Sequence, residues 1–133
     1  MPQSSTLSLQ KAIYSALIAD TELTTLLNGP NIFDHVPQSQ SLPFVVISQI
    51  TTKEWPPNGQ EHSITLTTWS EYPGRKQAME ISESIRAGLH DTSLSLEDHH
   101  LINLHFLSSE ARRDKQSKLY QMQSRFRAVT EPQ

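Results

Sequence analysis

The sequence predicts an α+β domain in the order α-β-β-β-α-β-β, with helices on one face of a mainly antiparallel sheet. Three observations predict it. Apolar residues recur at helical spacing in residues 7–27 and 74–89. Apolar and polar residues alternate in 62–70, 101–107 and 119–130. Clusters of Pro, Gly and Asn punctuate the intervals between these segments.

In the first helical segment Leu9, Ile13, Ala16 and Leu17 form one stripe, and Ser4, Ser5 and Thr6 offer N-cap oxygens. Asp20 is placed to cap a second short turn that presents Leu23, Leu26 and Leu27. Asn28-Gly29-Pro30 stops the helix, because Asn and Gly tolerate the left-handed C-cap and Pro cannot continue a helix. Ile32–Val36 reads as a short strand closed by Pro37, and Phe44–Ile50 as a central or doubly covered one. The run Trp55-Pro56-Pro57-Asn58-Gly59 makes the tip of a hairpin spanning 44–70, whose returning strand turns Ile64 and Leu66 one way and Thr65, Thr67 and Trp69 the other.

The second helix carries Ala78, Ile81, Ile85 and Leu89 on one stripe, with Lys76 and Glu80 paired at i,i+4 on the exposed side. After a connection at 91–98, Leu101–Leu107 alternates with Ile102, Leu104 and Phe106 inward. The charged stretch Glu110–Lys118 forms a second hairpin tip. The last strand, Leu119–Thr130, sets Tyr120, Met122, Phe126 and Ala128 against Arg125 and Arg127. The whole of 1–133 reads as one domain with an ordered core of about 7–131.

Composition removes several classes of function. The net charge of −3 argues against a dedicated nucleic-acid binder, which clusters Lys and Arg over phosphate. No apolar run reaches the roughly 20 residues that span a bilayer, and Lys11 and Asp20 break the N-terminal apolar stretch, so no membrane association or signal peptide is expected. With no cysteine, disulfides, thiol catalysis and Cys-based metal sites fall away. Charged residues make up 19% and hydrophobic residues 35% of the chain, while Ser, Thr and Gln supply 39 of the 133 residues. Such an uncharged polar surface repels neighbours weakly and permits self-association.

Chemistry-bearing patterns are sparse. Gly29, Gly59, Gly74 and Gly88 are too far apart for a phosphate-binding loop or dinucleotide fingerprint, and no G-x-S-x-G elbow occurs. His99 and His100 follow Glu97 and Asp98, and His90-Asp91 ends the second helix, a set able to supply imidazole and carboxylate to a divalent metal. Against this, adjacent histidines on a strand point to opposite faces, and no H-x-x-x-H helix pair exists. A His90 in a last helical turn has the simpler task of meeting the helix dipole, and His105 shares its phase with Leu101 and Asn103. No catalytic residue, metal or cofactor is therefore assigned. Arg112-Arg113-Asp114 suits either a clamp on phosphate or carboxylate or a soluble hairpin tip. Trp55 reads as an interface residue and Trp69 as one tucked over its own sheet.

The stretches LQKAIYSALIADTELTTLL (9–27), IFDHVPQSQSLPFVVIS (32–48), GQEHSITLTTWSEYPGRKQAMEISESIRAGLHD (59–91) and LINLHFLSSEARRDKQSKLYQMQSRFRAVTEP (101–132) cover nearly the whole chain. In combination, and above all through EHSITLTTWS, GRKQAMEI and RFRAVTEP, the sequence resembles the tail-completion (tail-terminator) family of long-tailed phages and gene transfer agents. The resemblance implies a structural virion subunit without catalytic residues that forms a ring, expected to be a hexamer, at the head-proximal end of the tail tube. Its partners would be copies of itself, the tail-tube protein and the head–tail connector, with DNA passing through the lumen unbound, a passage that a net acidic subunit suits.

In such a ring one face of each subunit meets a different face of the next. The two hairpin tips are the expected contact surfaces, through Trp55, Pro56 and Asn58 on the first and Glu110, Arg112, Arg113, Asp114 and Lys115 on the second. The alternatives are another neck (head-completion) subunit, a small enzyme using His99, His100 and nearby carboxylates with a metal, and a host-encoded interaction module of similar fold.

Overall fold

Helix α1 (Ser5–Ala19) starts where the sequence offers its cap: the Ser4 hydroxyl accepts from the Leu7 amide at 3.1 Å, a contact worth about 1 kcal/mol. The computed structural model describes residues 4–71, 75–113, 116 and 119–133. Asp20 ends α1 and begins the six-residue α2 (Thr21–Leu26), its carboxylate accepting from the Leu23 amide at 3.2 Å. The second short turn expected after Asp20 is thus a separate helix capped by that residue. Beyond α2, Asn28 and Gly29 take positive φ (59° and 136°), and the Gly29 amide returns to the Thr24 carbonyl at 2.8 Å. That bond closes the helix end in a Schellman arrangement.

The remaining elements are β1 (Ile32–Phe33), β2 (Phe44–Trp55), β3 (Gly59–Glu71), α3 (Arg75–Leu89), β4 (His99–Arg113) and β5 (Leu119–Pro132). They give one five-stranded sheet in the order β1-β2-β3-β5-β4, antiparallel except for the parallel β1–β2 pair. The fold class and element order are those predicted. β1 is shorter than expected and β2 longer, running unbroken from Phe44 to the hairpin tip. The last strand in the chain, β5, sits between β3 and β4, so Arg125 and Arg127 lie on an interior strand rather than at an edge.

The core lies between the helices and one face of the sheet. Leu9, Ile13 and Leu17 of α1, Leu23 of α2 and Ile81, Ile85 and Leu89 of α3 meet Val45, Ile64, Leu66, Leu104, Phe126 and Ala128. All these side chains are 0–1% exposed, and each contributes about 1.5–3 kcal/mol of transfer free energy if large. Strand phase sets which residues arrive there, and β4 departs from the prediction. Its register slips between Leu101 and Asn103 and again between Phe106 and Ser108. The first slip makes Ile102 an extra residue, so Leu101 packs on the core in its place and Ile102 is left 52% exposed.

Candidate functional site

Among the described residues, no helix or strand covers the sheet face opposite the helices. On it the first tip folds inward. β2 and β3 stay paired to Trp55↔Gly59, leaving Pro56, Pro57 and Asn58 to turn the chain. Gly59 is required at this point because a Cβ there would stand 2.9 Å from the Thr130 carbonyl oxygen. The Trp55 ring, 44% exposed, lies over the Arg127 guanidinium with 4.9 Å from the central carbon to the ring centroid. Arg127 also donates to Glu61 at 3.1 Å, and Lys53 approaches the same carboxylate at 3.5 Å. The Arg127 hydrogen bond holds Glu61 below the usual carboxylate range, with the charges of Arg127 and Lys53 adding to it.

The second tip carries a matching cluster. Arg112 donates to Glu110 at 2.9 Å, and Arg125 stands 3.8 Å from the other carboxylate oxygen. Arg112 thereby lowers the Glu110 pKa and has its own raised. In each cluster one carboxylate sits between two cations. Arg113, opposite Tyr120, is exposed. Asp114 and Lys115 lie outside the described residues. Between the tips runs a trough of about 610 Å³ whose walls include Ser48, Thr67, Trp69, Gln121, Gln123 and Arg125. Trp69 does lie over its own sheet, as expected.

The imidazole–carboxylate set that forms is not the one centred on His99 and His100. The turn after α3 brings His90 and Asp91 beside β4, where Asp91 Oδ1 is 2.8 Å from His105 Nδ1 and Asp91 Oδ2 is 3.2 Å from His90 Nε2. These three groups are close enough together to suggest a metal ion. The tautomers argue otherwise. His90 Nδ1 accepts from the Phe106 amide at 3.0 Å, so Nε2 carries the proton and has no lone pair for a metal. Ligating histidines normally donate through the second nitrogen. With the Asp91 amide donating to the Leu104 carbonyl at 2.8 Å, the group works as a clasp along the outer edge of β4. His90 therefore satisfies a strand amide rather than a helix dipole.

His62 went unnoticed in the sequence although its phase with Ile64 and Leu66 marks it as inward. Its side chain is fully buried between the Thr52 hydroxyl (2.8 Å from Nδ1) and the Thr130 hydroxyl (2.9 Å from Nε2). Burial lowers its pKa, and His99 lowers it further. Thr6 on α1 contacts Thr52, and Ser5 donates to Gln60, so the start of α1 is tied to the first hairpin.

The family described as Tail completion protein gp17 matches residues 11–131. Among solved structures, a chain from the virion of a native gene transfer agent particle is similar, with a TM-score of 0.85 and 24% identity over 97% of this chain and 99% of that one. At that identity the likeness is one of fold. Among curated protein sequences, none matches.

Proposed function

The chain belongs to the tail completion protein family, and from that premise we propose that it is a structural protein of a tailed virion, one of several copies in a ring. The ring ends the tail tube and joins it to the head connector. Family membership across residues 11–131 carries this reading. The surfaces support it: the helices and one sheet face are spent on the core, while the other face and both hairpin tips remain available for contact.

No substrate is transformed in this role, and no side chain is given a catalytic one. Trp55, Pro56 and Asn58 on one tip, and Glu110, Arg112, Arg113, Asp114 and Lys115 on the other, meet the neighbouring copy or the tube. DNA passes through the ring without a specific site.

Incubation with purified tail tubes and, separately, with DNA-filled heads tests this function, the bound copies being measured by quantitative gel and the free protein by light scattering. Stoichiometric capture at tube ends is expected. Capture by heads alone would reassign the chain to the head side of the neck, and a monomer that binds neither would end the proposal. Trp55→Ala and Arg112→Glu are expected to weaken tube capture several-fold without unfolding the domain.

A further inference from the structure

Both edges of the sheet are half closed, and the open halves lie at opposite ends. On β2, the start of the strand is covered by β1 through Ile32↔Val45 and Phe33↔Val46, which among the described residues leaves the edge of Ser48–Trp55 without a strand beside it. On β4, the first half is covered by a bridge from Ser95 to His100 and by the His90–Asp91 clasp at Leu104 and Phe106. Leu107–Arg113 has no neighbour on that side among the described residues and is exposed throughout. Unpaired strand edges are templates for another chain, and proteins that remain monomeric blunt them. Here the covered halves are closed by neighbouring segments of the chain, and the open halves are blunted only by charged side chains, Lys53 and Glu54 on β2 and Glu110, Arg112 and Arg113 on β4. Exposed apolar groups lie near both open halves: Leu107 (56% exposed) on β4, and Leu7 and Tyr14 (42% each) of α1, in a groove of about 350 Å³ that meets β2 at Ile47, just ahead of its open half.

We propose that copies of this chain join by strand addition, Ser48–Trp55 of one pairing antiparallel with Leu107–Arg113 of the next, so that their sheets run on into one closed cylinder. The inference rests on the ring reading above and specifies its joint. Two features single out a second copy as the occupant. First, β2 and β4 run in opposite directions across the sheet, so a head-to-tail neighbour continues the antiparallel alternation without a break. Second, the offset fits closure. The registers place Thr51 level with Ser63, Arg127 and His105. Leu107 is the extra residue of a bulge, so Glu110 stands opposite Gln123, and pairing Thr51 near Glu110 shifts the next copy by four residues.

Four residues amount to about 14 Å along a strand, and four strands to about 19 Å across the sheet. Their ratio tilts the strands by about 35°, at the lower end of the roughly 35–45° at which closed barrels settle. Helices fit only on the outside of such a cylinder, so the uncovered face lines the lumen. Phosphate passing through would meet amides, hydroxyls and the two clusters in which a carboxylate is held between cations, rather than the acidic wall suggested by net charge.

The absence of cysteine makes the test direct. Within one copy β2 and β4 are three strand spacings apart, about 14 Å, beyond the ~7 Å Cα separation that a disulfide tolerates. Thr51→Cys is combined in turn with cysteine at each of residues 108–112, oxidised with and without tail tubes, and run on a non-reducing gel. Each single variant is checked for unchanged thermal unfolding. A ladder of multimers rising to a closed species is expected for one or two of the double variants, with single variants stopping at dimers. Oligomers seen by light scattering with no ladder from any pair would overturn the strand-addition joint and leave the ring standing. A protein that stays monomeric in both conditions, and binds no tube, would remove both.

Discussion

The two faces of one sheet are made by the same strands and do opposite things. On β3 the residues His62, Ile64, Leu66, Thr68 and Ser70 point to the helices and are at most 1% exposed, whereas of those between them Ser63 is exposed, Glu61, Thr65 and Trp69 are half-buried, and Thr67 is covered, bonded to the Ser48 hydroxyl at 2.8 Å. On β5 Phe126 and Ala128 are sealed while Gln121, Gln123, Arg125 and Arg127 are only half covered. Stability therefore resides in one phase of the alternation, while the other phase is left to the surface, so a substitution on the open phase can alter the surface without touching the core.

That separation predicts a graded series. Phe126→Ala, at the centre of the covered face, is expected to cost about 3–5 kcal/mol in urea unfolding. A cost below about 1 kcal/mol would mean that the helices do not seal that face. Gly59→Ala, which drives a methyl toward the Thr130 carbonyl, is expected to cost about 1–3 kcal/mol and to loosen the first tip, measurable as faster amide exchange at residues 55–60.

His62 is an ionisable group on the covered face, and its burial lowers its pKa. Its unfolded counterpart titrates near pH 6.5 and binds protons that the folded state refuses. Stability should therefore be complete above about pH 6.5 and fall as pH drops toward the lower folded value. The urea midpoint should lose much of that slope in His62→Gln. At the bottom of the series, Gln123→Ala on the open face should change stability by no more than about 0.5 kcal/mol. A larger loss would show that this face contributes to the fold as well as to contacts.

What the sequence reveals follows the same division. Alternation in Ile64–Leu66 and Phe126–Ala128 and the helical stripe Leu9–Ile13–Leu17 are local patterns, and they identify the core directly. Ile102 defeats the pattern because a bulge is a property of two paired strands, which alternation within one strand does not register. The His90–Asp91–His105 clasp is likewise hidden, since its members meet only after α3 has packed and β4 has taken the sheet edge. Trp55 is legible as a tip residue, but its seat over Arg127 depends on the 71 residues of intervening chain. Open strand edges leave no mark in composition; they emerge only when the strand order is known.

The position of β5 also bears on how the protein comes into being. It follows the other four strands in the chain and is the one on which both β3 and β4 depend, with pairs such as Gln60↔Thr130 joining distant residues. Until it is in place, β4 has no partner strand and the hairpin of β2 and β3 stands alone; such distant pairings are slow to form. A chain cut before β5 thus lacks the continuous sheet, and the two halves of the domain are joined at this one late pairing.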